Sequence, residues 1–77
     1  MFNELDAVVL DRDVPEHGLR RGDVGAIVAV VAPDTFEVEF VVASGRTQAL
    51  VTLSTADVRA IDDNDLIAVR PLRKAAV

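Results

Sequence analysis

The chain has 77 residues, 51% of them hydrophobic, with no cysteine, a single histidine and a formal charge of −5. The cysteine and histidine counts exclude a disulfide framework and a thiol- or multi-histidine metal centre. The acidic balance makes a nucleic-acid backbone an unlikely main partner, since that contact is largely counterion release by clustered Lys and Arg.

At 8.3 kDa the chain is one domain, and a domain of this size buries only ~60% of the surface its unfolded chain exposes. The first six residues lack the basic and apolar regions of a secretory signal. The longest uncharged stretches, residues 24–33 and 47–56, fall well short of the ~20 residues a bilayer-spanning helix needs. The expectation is a soluble, cytoplasmic protein with no membrane partner.

Strand signals dominate. Residues 6–10 (DAVVL) form a short β-branched run, followed by a charge-dense segment, residues 11–25 (DRDVPEHGLRRGDVG), which holds the only histidine and three of the four glycines. A longer apolar run, residues 24–31 (VGAIVAVV), ends at the turn Ala32-Pro33-Asp34-Thr35. Residues 36–41 (FEVEFV) alternate strictly, which predicts a half-buried strand with Phe36, Val38 and Phe40 on one face and Glu37 and Glu39 on the other. Ala43-Ser44-Gly45-Arg46 reads as a hairpin turn into residues 47–53 (TQALVTL), with Ala49, Val51 and Leu53 inward. Ser54-Thr55-Ala56-Asp57 suits one 3-10 turn before a last strand at residues 58–61.

The fold class expected is all-β: a five-stranded SH3-like barrel over residues 1–61 with one 3-10 turn. Residues 62–77 then form a tail packed on the barrel or on a neighbouring subunit. Asp62-Asp63-Asn64-Asp65 could cap a short helix that Pro71 stops, or residues 66–69 could add a sixth strand.

Residues 24–31 depart from simple alternation because both faces are apolar: Ala26, Val28 and Val30 on one, Ile27, Ala29 and Val31 on the other. A small barrel strand has one wet face, so the second apolar face calls for cover by the tail or by another subunit. With neither disulfide nor metal to staple so small a domain, self-association is the route left to stability. A homo-oligomer is expected, joined through Ile27, Ala29, Val31 and the outward Leu50.

Residues 4–10 (ELDAVVL), 19–25 (LRRGDVG) and 36–41 (FEVEFV), together with the PEHGL, GDVG and EVEF motifs at matching separations, resemble an uncharacterised family of short bacterial proteins, a domain of unknown function. The resemblance covers roughly residues 4 to 61. It implies an SH3-like barrel and brings no established activity with it. GDVG followed by a β-branched strand is also similar to the small barrels of KOW type in transcription factors and ribosomal proteins. That likeness implies a nucleic-acid-associated module with a basic patch at Arg12, Arg20, Arg21 and Arg46, against which the acidic net charge argues.

The charge-dense loop is the candidate functional surface, with Asp13, Glu16, His17, Arg20, Arg21 and Asp23 as partner-binding residues. His17 is the one group suited to general-base work near neutral pH, but the loop holds no serine, threonine or cysteine to serve as a nucleophile, so no catalytic residue is assigned. The acidic clusters Asp11, Asp13, Glu16 and Asp62, Asp63, Asp65 lack calcium-loop spacing, so no metal is assigned either. Arg20 and Arg21 lie between glycines without a following lysine–hydroxyl pair, which rules out a phosphate-binding P-loop and leaves no cofactor. Without Tyr or Trp the chain lacks the groove that binds proline-rich peptides. The expected role is a non-catalytic protein-binding or assembly module. Its loop would face a protein partner, for instance one encoded nearby.

Overall fold

Alternation is strictest in residues 36–41, and the computed structural model, which describes residues 2–72, places them in β3 (Thr35–Val41) with Phe36, Val38 and Phe40 buried and Glu37 and Glu39 half-buried. β4 (Thr47–Ser54) returns beside it in antiparallel register, so that Phe36 faces Leu53, Val38 faces Val51 and Phe40 faces Ala49. These inward pairs place large side chains against small or branched ones, the arrangement that fills a sheet interior. β1 (Ala7–Leu10), β2 (Val24–Ala32) and β5 (Val58–Ala60) complete one five-stranded antiparallel sheet ordered β4-β3-β2-β1-β5.

A 3-10 turn, Thr55–Asp57, joins the two edge strands. The Asp57 carboxylate accepts from the Ser54 amide at 2.9 Å and from the Ser54 hydroxyl at 3.2 Å, closing the turn as the Ser54-Asp57 spacing predicts. One core results, with Val8, Leu10, Ile27, Phe36, Val38, Phe40 and Leu53 among its members.

Ile27 is a correction to the expected oligomer interface, because it is fully buried in that core. Ile27 stands opposite the inward Val38, and the facing of the residues after it is set by two register shifts in the β2–β3 pairing, between Ile27 and Ala29 and between Val30 and Ala32. Each adds a residue to β2 opposite an unbroken β3, and an extra residue reverses the facing of all that follow. Ala29 consequently stands opposite the outward Glu37 and is half-buried, while Val28, Val30 and Val31 are exposed. Leu50 lies outward opposite Glu39 and is 54% exposed. The surplus apolar surface exists, but it belongs to the bulged half of β2 rather than to one clean face.

Gly25 marks the tightest approach in the sheet. A Cβ there would lie 2.7 Å from side-chain atoms of both Phe40 and Val38 and 2.9 Å from the Glu39 carbonyl, so only glycine lets β3 close on β2.

The tail corrects a second expectation. Residues 62–72 form neither helix nor strand. Asp65 closes a local turn instead, accepting from the Asp62 amide at 2.7 Å while its own amide donates to the Asp62 carbonyl at 3.0 Å. Beyond it Leu66, Ile67 and Val69 are exposed. A stretch this short falls below the length at which a helix sustains itself, and these side chains have no packed surface to favour one. Residues 73–77 lie outside the described residues.

Candidate binding groove

The loop after β1 is polar in composition yet anchored by its two apolar side chains. Val14 and Leu19 bridge to one another across the loop, their backbones exchanging hydrogen bonds of 3.0 and 3.1 Å, and both are buried in the core. Between them lies a second 3-10 turn, Pro15–His17, beyond the single one expected. Pro15 presets the first turn position, and Gly18 at φ +69° supplies the left-handed residue that ends it.

Carboxylates fix the rest of the loop through backbone amides. Asp13 Oδ1 accepts from the Arg21 amide at 2.8 Å, and Asp23 Oδ2 accepts from the Arg20 amide at 2.8 Å. Of the six residues expected to meet a partner, Asp13 and Asp23 therefore also shape the loop, while Glu16 and His17 are exposed on the 3-10 turn. Arg21 pairs with Asp11 at 3.2 Å and Arg12 with Asp57 at 2.8 Å. Two of the four arginines proposed for a basic patch are thus matched by carboxylates, and Arg20 and Arg46 make no ion pair with a described carboxylate.

The tail reaches the loop through a residue that sequence reasoning passed over. Arg70 holds Asp23 bidentately, Nε to Oδ1 at 2.8 Å and Nη2 to Oδ2 at 2.6 Å, and Nη2 also donates to the Gly18 carbonyl at 3.0 Å. At the other end of the tail Arg59 of β5 forks onto Asp65 at 2.8 and 2.9 Å. Val9 of β1 stands between these anchors, paired with Val24 on one side and Arg59 on the other, and is buried outside the main core. The tail is thus tied to β5 at one end and to the loop at the other. The one available signal for Arg70 was its place as a lone charge after LIAV, at the end of an apolar stretch.

Proton affinities follow this geometry. Burial pushes the Asp23 carboxyl up, but the hydrogen bonds from Arg70 and the Arg20 amide outweigh it and hold the group below its ordinary value. The Ser54 amide and then Arg12 lower Asp57, and Arg59 with the Asp62 amide brings Asp65 down to about 2.

Loop, tail and the start of β4 enclose a groove with a volume of about 980 Å³, whose walls include Leu19, Arg20, Arg46, Gln48 and Arg70. A second hollow of about 590 Å³ shares Leu19, Arg46, Arg70 and Leu72 with it and runs on to Val24 and Val41. Gln48 ties the walls together, accepting from Arg46 at 3.3 Å and donating to the His17 carbonyl at 3.3 Å. One end of the depression is therefore cationic and the other apolar. Such an arrangement can seat an anionic group beside a hydrophobic one.

Among the described residues no group of three or more His, Asp or Glu is placed to hold a metal ion, and no helix is long and apolar enough to cross a membrane. Comparison with curated proteins and with solved structures finds no match. Residues 4–60, ending with the last residue of β5, match a family model, and the chain belongs to that family, Domain of unknown function (DUF4926).

Proposed function

We propose that the chain is a non-catalytic protein-binding and assembly module of the cytoplasm, built as an SH3-like barrel, which self-associates through the bulged half of β2 and turns its residue 11–23 loop toward a protein partner. The strand order β4-β3-β2-β1-β5, with a 3-10 turn between the two edge strands, supports the barrel reading. One observation carries the assembly reading. The described residues bury thirteen hydrophobic side chains but leave twelve large ones at least 38% exposed, so nearly as much apolar material meets water as fills the core.

Val28, Val30 and Val31 are the densest part of that surface on the sheet, and three exposed valines within four residues of one strand suit contact with a second copy. Leu50 sits apart from them, in the row where Glu39 and Ala26 lie between β4 and β1.

Light scattering at about 50 µM tests the reading, since a self-associating chain gains population of the assembled form with concentration. The wild type is expected to run as a dimer or larger and Val31→Asp as a folded monomer. A monomeric wild type would remove the assembly reading.

A further inference from the structure

We propose that the groove beside the loop receives a short segment of another protein that carries carboxylates next to aliphatic side chains. The carboxylates would lie at Arg20 and Arg46, and the aliphatic groups over Val24, Val41 and Leu72. This inference rests on the protein-binding reading above and names the chemistry of the partner.

The distribution of charge carries it. The chain has a net charge of −5, and of its six described arginines Arg12, Arg21, Arg59 and Arg70 are each matched by an aspartate. The remaining two, Arg20 and Arg46, converge on the walls of one groove although they are 26 positions apart in the chain. Among the described residues, the two arginines without an ion pair thus meet at one concave site, and cations gathered in a cleft concentrate anions.

The Arg20 backbone is fixed by the Asp23 carboxylate, and the Arg46 guanidinium leans on the Gln48 carbonyl oxygen. A guanidinium presents a planar fork that matches a carboxylate in two parallel hydrogen bonds, so two exposed forks on one groove favour acidic side chains over a diffuse negative surface.

The apolar half sets the rest of the specificity. Val24 and Val41 are 49% and 56% exposed and Leu72 is 38% exposed, all three lining the hollow that adjoins Arg46. A nucleic-acid strand would find two unmatched cations, with the Asp13 carboxylate on the same wall. The aromatic ring in the lining, Phe40, is only 3% exposed. Neither counterion release nor base stacking is well served there. Isolated carboxylates flanked by leucine or valine fit both halves.

The probe is a phage-displayed library of random twelve-residue peptides, selected separately on the wild type, on R20E/R46E and on R21E, whose arginine lies outside the groove. The substituted side chains are all exposed, so the variants keep the fold, which circular dichroism verifies.

The wild type and R21E are expected to enrich the same peptides, with two or more Asp or Glu beside Leu, Ile or Val. R20E/R46E is expected to bind the best of them at least tenfold more weakly and to enrich Lys or Arg instead. Amide shifts on titration should centre on Gly18, Leu19 and Gln48. Enriched peptides without acidic residues would overturn this inference and leave the protein-binding reading standing, while recovery of no peptide would overturn it at this groove. Equal loss in R21E, or tighter R20/R46-dependent binding of single-stranded oligo-dT, would also overturn it, by assigning the effect to bulk charge or to nucleic acid.

Discussion

The inner face of the sheet and the loop-and-tail edge beside it are made of opposite materials. Among the described residues the first packs a core of twelve buried hydrophobic side chains and no charged or polar one. The second is stitched by Asp13, Asp23, Asp57 and Asp65, which accept hydrogen bonds from backbone amides and arginine side chains. The two meet at Val14 and Leu19, loop residues whose side chains sit in the core. The division means that the sheet is held by a force indifferent to protonation, while loop and tail are held by carboxylates, three of which, Asp23, Asp57 and Asp65, have their proton affinity lowered by the bonds they accept. Disturbing one region should leave the other's signature intact, and the size of each disturbance ranks them.

Phe36 gives the largest expected effect. It is 1% exposed, faces Leu53 and meets Phe2 edge-on at a centroid distance of 5.6 Å. Truncating a buried phenylalanine costs about 3–5 kcal/mol, against a total stability of roughly 4–12 kcal/mol for a domain of this length. Phe36→Ala is expected to leave the chain largely unfolded at 37 °C or nearly so in urea titration at pH 7. Loop and tail are lost with it, because Val14 and Leu19 have no other core to enter.

Asp23 comes next and should separate the two regions. Its side chain carries the Arg20 amide and both arms of Arg70, and the Asp23–Arg70 pair is less than one-third exposed on either side. Removing a hydrogen-bonded charge of this kind costs about 1.5–3 kcal/mol. Asp23→Ala is expected to lower the unfolding free energy from urea titration by that amount, and Arg70→Ala by less, since the Arg20 turn survives it. In both variants the amides of residues 66–72 should lose protection from hydrogen exchange while those of β3 and β4 keep it. Equal loss of protection in β3 would show that the edge and the sheet open as one unit.

A smaller, graded effect follows from acid. Asp23, Asp57 and Asp65 all have folded values below the ordinary 3.8, Asp65 at about 2. A carboxyl whose folded value is depressed binds fewer protons in the folded chain than in the unfolded one. Its contribution is complete above pH about 4 and declines as the pH falls through the folded values toward about 2. NMR spectra recorded from pH 5 to pH 2 should show tail and loop resonances moving first, with the β3–β4 amides following only as the whole fold weakens. Simultaneous loss of both sets at pH 4 would contradict the division.

The sheet was more legible in the sequence than its edge, for reasons visible in individual residues. All five strands fall within one residue of the bounds that alternation and turn residues predict, because β3 alternates without interruption and Gly45 and Pro33 punctuate its ends. The facing of β2 was not legible. A run in which every residue from Ala26 to Val31 is apolar gives no mark of where a bulge adds a residue, so Ile27 could be assigned to either side. In the loop the signals were present and overlooked: Pro15 and Gly18 bracket a turn, and Val14 and Leu19 are its only aliphatic residues short of the next strand. Arg46, Gln48 and Arg70 joined the groove from 28 to 52 positions away from Gly18. Contacts at that separation leave no local pattern. They become visible only when the sheet order is known.

The smallest effect expected tests which of the edge's two kinds of contact matters. Asp11 and Asp13 both engage Arg21, the first by its side chain at 3.2 Å and the second through the Arg21 amide at 2.8 Å. The side chains of the Arg21–Asp11 pair are 73% and 41% exposed, and exposed pairs of this kind contribute ~0.2–1 kcal/mol, less at high salt. Asp11→Ala is therefore expected to shift the urea midpoint barely, and not at all in 0.5 M NaCl, where screening is roughly complete. Asp13→Ala removes an acceptor from a backbone amide that fixes the loop's return, and should cost more at both salt concentrations. If Asp11→Ala proved the costlier of the two, the edge would be held by ion pairs between side chains, and carboxylates bound to amides could no longer explain why Arg20 is presented to the groove.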